Sequence, residues 1–285
     1  TTIVFNLSTL TQLTSYENRT FDIKQHKTTF DDWLTAFSNS IRKRTANTKQ
    51  GMFVGLSSGY DSGAITCELE KQNVSFKTYS ILNTENPKIM ERRLKLVTNA
   101  EAFNLTTDEY NHWQKELDDN CENFIYGTGK KKYNIKEDQA SKGLAAICHR
   151  ANREKRKIYF SGQGADEIIS DYGFGGIKKY KHSGFGGLFP QSLDGFSPWH
   201  SFYDGTQIQY LNKEEYVAGH FGIETRYPFL DNDLVQEFLW LSHTLKNSVY
   251  KSCLHEYLSA NNFPFKPSEK KGFNVGQKKR KHKTL

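Results

Sequence analysis

The sequence predicts an α/β fold: a parallel twisted sheet flanked by helices, with a more helical C-terminal part. Two observations carry this expectation. Between about residues 45 and 172, short apolar runs alternate with segments of helical period, an order that implies βαβ crossovers. Two of those runs end in loops of Ser, Gly and Asp, Ser57-Ser58-Gly59-Tyr60-Asp61-Ser62 and Ser161-Gly162-Gln163-Gly164-Ala165-Asp166-Glu167. Parallel sheets bind ligands beyond the carboxyl ends of their strands.

Each element follows from local pattern. Residues 1–29 are polar and Thr-rich, with Ile3-Val4-Phe5 and Phe21-Asp22-Ile23 as strand fragments or an irregular lead-in. Phe30, Trp33, Leu34, Phe37 and Ile41 recur at helical spacing, so 29–44 is a helix with Asp31 and Asp32 at its N-terminus. The run from Met52 to Leu56 is a strand, and Ala64, Ile65, Cys67 and Leu69 mark the helix after its loop. The pattern then predicts a strand at 76–82, a helix at 89–103, a third strand at 105–110, a helix at 139–153 and a buried strand at 158–160. The Gly- and aromatic-rich stretch 174–198 reads as a loop or lid rather than core. Helices dominate from Lys213 onward, among them 231–241 and 250–259.

Composition sets limits. The 285 residues include 20 Phe and 15 Tyr, enough for a sizeable core, and 25% are charged, as in ordinary globular proteins. No apolar run reaches the roughly 18 residues of a membrane span, and no signal segment opens the chain, so no membrane partner is expected. The Thr-Thr start fits removal of an initiator Met or cleavage from an upstream domain. The net charge is +7, but the last eight residues hold five Lys or Arg and no acid, which leaves the body near +2. Residues 276–285 are therefore expected to be a solvated, disordered basic tail, and nucleic acid is not an expected partner. Cys67, Cys121, Cys148 and Cys253 form no C-x-x-C pair, which points to a reducing, cytoplasmic setting. The nine His show no zinc-ligand spacing.

The two loops carry the chemistry. In the first, small residues let backbone N–H groups and hydroxyls approach a phosphate, and the following helix adds positive potential. Asp61 would repel a phosphate unless Mg²⁺ lies between them; the plainer reading is a Ser/Gly turn with Asp61 near the helix N-terminus. Asp166 arrives from a second strand end, and the pair could hold Mg²⁺ on an ATP triphosphate.

Leu56-Ser57-Ser58-Gly59-Tyr60-Asp61-Ser62 resembles the pyrophosphate-binding loop of N-type ATP pyrophosphatases, S-G-G-x-D-S, with Ser58 in place of the first Gly. Phe160-Ser161-Gly162-Gln163-Gly164-Ala165-Asp166-Glu167 resembles the S-G-E-G-A/S-D-E segment of asparagine synthetases, and Gly222-Ile223-Glu224-Thr225-Arg226-Tyr227-Pro228-Phe229-Leu230-Asp231 their E-x-R-x-P-F-L-D segment. Lys251 and Lys270-Lys271-Gly272-Phe273 fall where that family has K-x-x-L and K-x-x-F elements. The resemblance covers about residues 30–275. It implies an adenine nucleotide α-hydrolase-like fold, with residues 1–44 as a lead-in and 45–275 as the ATP pyrophosphatase domain.

By that resemblance, Asp61 and Asp166 hold Mg²⁺, and Ser57, Ser58, Gly59, Ser62, Gly162 and Lys251 contact ATP or pyrophosphate. Leu56 and Ile81 sandwich the adenine or supply its backbone hydrogen bonds. Lys270 stabilises charge during adenylation, and Glu224 and Gln163 face the acceptor. The implied reaction is ATP-dependent amide formation: a carboxylate, aspartate or a related acid, attacks the α-phosphorus, pyrophosphate leaves, and a nitrogen nucleophile opens the acyl-adenylate. Two departures bear on the product. The N-terminal glutaminase domain with its Cys nucleophile is missing, so ammonia would come from solvent or a separate glutaminase-type subunit, or an amine would attack as in relatives that close β-lactams or cyclise peptides. Gln163 replaces the family's glutamate and cannot accept a proton. A non-catalytic, synthetase-like partner subunit is the reading from another class.

Overall fold

The computed structural model describes residues 2–16, 19–126, 132–135 and 138–269. The chain opens with an antiparallel hairpin, β1 (Thr2–Phe5) and β2 (Gln12–Tyr16). Then come α1 (Asp31–Thr45), β3 (Gly51–Gly55), α2 (Tyr60–Lys71), β4 (Phe76–Ile81), α3 (Pro87–Leu96), β5 (Ala100–Phe103) and α4 (Thr107–Asn120). The small strands β6 (Ile125–Tyr126) and β7 (Tyr133–Asn134) precede α5 (Gln139–Arg153) and β8 (Arg156–Phe160). A π-helical turn, Asp166–Ser170, leads to β9 (Gly173–Phe174) and β10 (Ile177–Lys178). The chain continues with α6 (His200–Tyr203), α7 (Thr206–His220), β11 (Glu224–Arg226), α8 (Asn232–Trp240), α9 (His243–Lys246) and α10 (Ser252–Ala260).

The main sheet has the order β11-β8-β3-β4-β5, parallel throughout. From β3 the chain moves outward through β4 and β5, then returns to lay β8 and β11 on the other side of β3. The strand order thus reverses between β3 and β8, the point where open α/β sheets bind ligands. Val54 pairs with Phe160, so the loops after β3 and β8 leave the sheet at the same level.

The pleat divides the core. Val54 and Phe160 pack with Trp33, Phe37 and Phe238 on one face. Phe53 and Tyr159 stack on the other, with ring centroids 5.2 Å apart, beside Leu144, Ile147 and Val217. Burial of both faces is why residues 52–54 of β3 and 158–160 of β8 read as apolar runs rather than alternating ones.

Several expectations change. The helix expected over 89–103 stops at Leu96, and Ala100–Phe103 is the edge strand β5. Its alternating exposure leaves no apolar run to read. The strand expected at 105–110 is instead the entry to α4. Thr106 Oγ1 accepts from the Glu109 N–H at 3.2 Å, and the Glu109 carboxylate accepts from the Thr106 N–H at 2.9 Å; this capping box is legible as Thr-x-x-Glu. Nor is 174–198 simply a lid: Phe189 and Leu193 belong to the main core. Buried Asp171 organises the segment, accepting from Ser183 Oγ at 2.9 Å and from the N–H groups of Phe185 and Gly186 at 2.6 and 3.0 Å. The four cysteines are free and buried. Among the described residues no helix is long and apolar enough to cross a membrane. The basic tail lies outside the described residues.

Candidate active site

The loop between β3 and α2 is braced from within. Ser62 Oγ accepts from the Ser57 N–H at 3.1 Å and lies 2.9 Å from Ser57 Oγ, which in turn accepts from the Gly59 N–H at 3.1 Å. From below, the fully buried Arg93 of α3 donates to the carbonyls of Ser57 and Gly59 and, through Nε, to that of Pro264 at 2.7 Å. Burial lowers the Arg93 guanidinium to about 10, so it remains charged at neutral pH. The space it needs is left by Gly63, where an added Cβ would stand 2.3 Å from Arg93 Nη2. We expect Gly63→Ala to push Arg93 off the loop carbonyls and cost about 1–3 kcal/mol, read as a lower urea midpoint.

Asp61, in the first turn of α2, and Asp166, at the start of the π turn, converge on one ammonium. Lys251 Nζ lies 2.5 Å from Asp61 Oδ1 and 2.8 Å from Asp166 Oδ1. Lys251 caps α10 in a left-handed conformation, φ 50°, which aims its buried side chain back under the two loops. Burial opposes the charge, but the Asp166 and Asp61 carboxylates hold this ammonium well above the ordinary lysine range. The loops touch at Gly162, where a Cβ would meet Asp61 Cβ at 2.9 Å. Two hard carboxylates at one point suit Mg²⁺, which takes one or two protein carboxylates and fills its shell with phosphate oxygens and water. Among the described residues no cluster of three or more His, Cys, Asp or Glu offers an all-protein metal site.

Above this floor lies a cavity of about 610 Å³, a size typical of small-molecule sites. Ser57, Gly59, Asp61, Ser62, Gly162 and Asp166 line its base, and Leu144 and Ile147 of α5 one wall. Glu214 of α7 also lines the cavity, buried, with Gln163 Nε2 donating to its Oε1 at 3.3 Å. Its Oε2 has no hydrogen-bond partner. Burial raises the Glu214 carboxyl to about 7, against the pull of the Ser161 hydroxyl and the Lys213 ammonium. Sequence reasoning missed this residue. A Glu inside Lys213-Glu214-Glu215 reads as a solvated helix face, and only the packing of α7 against α5 turns it inward.

A sequence model of the asparagine synthase family matches residues 32–194, more than half of the chain. This chain belongs to the asparagine synthase family. No curated protein matches it in sequence. Among solved structures it is similar to an NMN synthetase from Francisella tularensis, at 11% identity over 83% of this chain and 94% of that one, TM-score 0.36. It is also similar to an NH3-dependent NAD synthetase from Campylobacter jejuni, at 12% identity over 83% and 96% of the two chains, TM-score 0.33.

Not every residue suggested by the asparagine synthetase resemblance reaches the cavity. Ser57, Gly59, Asp61, Ser62, Gly162, Gln163 and Asp166 line it, with Lys251 beneath. Ser58 turns away: its N–H donates to Glu85 Oε2 at 2.6 Å, and its hydroxyl donates to the same oxygen. Leu56 and Ile81 do not line the cavity. The Leu56 N–H is spent on the Tyr79 carbonyl at 2.9 Å, and its side chain packs with Met90 and Val97. Ile81 pairs with Phe103 and lies in the second core. Glu224 is also elsewhere. It starts β11, is exposed, and accepts from Arg226 Nε at 2.7 Å. Pairing with β8 sets Glu224 level with Ile158, two residues short of the strand end, and it is not among the residues that line the cavity. Lys270 lies outside the described residues.

Proposed function

We propose that this chain is an ATP-dependent, AMP-forming ligase that adenylates a carboxylate and passes the acyl group to ammonia or an amine. The observation that carries this reading is the convergence of Asp61 and Asp166 on Lys251 beneath a cavity that also holds Glu214. Phosphate chemistry and a proton acceptor thus face one space.

ATP would place its triphosphate on the base formed by Ser57, Gly59, Ser62 and Gly162. Asp61 and Asp166 would hold Mg²⁺, which offsets phosphate charge as pyrophosphate departs. The substrate carboxylate attacks the α-phosphorus, the bond to the bridging oxygen breaks, and pyrophosphate leaves. Lys251 keeps the two carboxylates from repelling each other. The nitrogen nucleophile then attacks the acyl carbon, AMP departs, and Glu214 takes the proton the nitrogen sheds. A carboxyl raised to about 7 is matched to that task near neutral pH. Gln163 orients Glu214 by donating to it, a role that a glutamine fills and a second carboxylate would not.

ATP–[³²P]pyrophosphate exchange with a panel of carboxylic acids tests the reading. Exchange dependent on one acid class is expected; none with any acid, in a protein that still binds ATP, would return the chain to the class of non-catalytic partners.

A further inference from the structure

The side of the cavity next to β8 and α7 has an aromatic wall that adenylation does not require. Tyr172, Tyr180, His182 and Tyr210 all line the cavity and pack on one another. The His182 ring is 4.4 Å from Tyr172, near perpendicular, 5.4 Å from Tyr180, near parallel, and 6.1 Å from Tyr210. The Tyr172 hydroxyl is engaged with the buried Glu167 carboxylate, which fixes that ring in place. Sheet order puts this wall on the acyl side. Thr84, which follows β4, lines the cavity on one side of the phosphate loop, whereas Tyr172 and Tyr210 follow β8 on the other, with Gln163 and Glu214.

The cation on this side is already engaged. Buried Lys213 has its Nζ 3.3 Å from Asp138 Oδ2 and 4.5 Å from the Tyr210 ring centroid. One face of Tyr210 is thus taken by a cation, which disfavours a cationic guest beside it. A small acid such as aspartate would leave these four rings uncovered, and its second carboxylate would find Lys213 already paired with Asp138. A flat apolar group fits such a wall, because aromatic pairs gain from edge and face contacts beyond area alone.

We propose that the acid activated here carries an aromatic or similarly flat apolar group, seated against Tyr172, Tyr180, His182 and Tyr210 with its carboxyl toward Gln163 and the phosphate floor. This rests on the ligase reading, and two measurements separate them. In pyrophosphate exchange, 3-phenylpropionate should surpass aspartate in kcat/KM. His182→Ala, at an exposed residue, and Tyr210→Ala should each raise KM for the aromatic acid about tenfold, with ATP affinity unchanged. Preference for aspartate, or a loss of ATP affinity instead, would overturn the subsite. Calorimetric titration reads binding alone. With a non-hydrolysable ATP analogue present, 3-phenylpropionate should bind the parent protein and bind His182→Ala about tenfold more weakly. Absence of that binding, or stronger binding of phenethylamine, overturns the proposal. Binding without exchange from any acid upholds the subsite and overturns the ligase reading.

Discussion

Glu214→Gln is expected to slow amide formation about 10²–10⁴-fold in a single turnover, while pyrophosphate exchange keeps its parental rate. The substitution preserves volume and removes the proton acceptor. Glu224→Gln should leave both steps unchanged, because that exposed carboxylate only pairs with Arg226 on the surface. The pH dependence has a definite sign. Glu214 must be ionised to accept a proton, so amide formation rises as pH passes through about 7, and Glu214→Gln loses that limb. Stability moves the opposite way. The folded-state value lies above the ordinary 4.5, so the folded protein holds this proton more tightly than the unfolded chain does. The stabilisation is fully present below 4.5 and is lost as pH rises through about 7. At pH 8 the glutamine variant should therefore be more stable than the parent, by up to the order of 3 kcal/mol. Urea denaturation at pH 5 and pH 8 reads this; equal stability gaps at both values would mean that Glu214 titrates as an ordinary carboxylate.

Asp61→Asn and Asp166→Asn should each reduce pyrophosphate exchange about 10³-fold or more, the scale of removing a preorganised charge from a phosphoryl or acyl transfer site. Full exchange in a folded Asp166→Asn protein would remove the phosphate assignment. The structure adds an expectation for the third member. Lys251→Met leaves two carboxylates converging without their ammonium, and breaking a buried charge cluster by removing one partner costs about 3–5 kcal/mol. Thermal denaturation should show this loss, and elevated Mg²⁺ should restore part of it if the same two carboxylates accept the ion. A variant as stable as the parent, indifferent to Mg²⁺, would mean that the carboxylates separate freely and do not form a shared site.

The chemistry-bearing loops were legible because their composition is unusual. Few combinations other than Ser, Gly and Asp at two strand ends meet the demands of close backbone approach with a carboxylate nearby, and Asp61, Gly162, Gln163 and Asp166 line the cavity. The weaker assignments followed from treating an element as a string. Leu56 and Ile81 were expected to sandwich the adenine or supply its backbone hydrogen bonds; both side chains are buried in core clusters, and the Leu56 N–H is bonded to the Tyr79 carbonyl. Glu224 was matched within a longer segment, and the register of β11 against β8 holds it below the strand ends. The edge strands β5 and β11 escaped because pairing with a neighbour, rather than an apolar run of their own, defines them.

By itself, then, the sequence determined the class of fold, the two buried central strands, and the loops after them, since these depend on local pattern and on residue types with few substitutes. The tertiary structure alone decided the strand order, which brings Asp61 and Asp166 together, and the choice of partners around them. Arg93, Glu214 and the ring cluster of Tyr172, His182 and Tyr210 come from distant elements. Each looks like an ordinary surface or core residue in its own helix or loop. Their roles arise from burial and from charges that face one another only after packing, and no local periodicity records that.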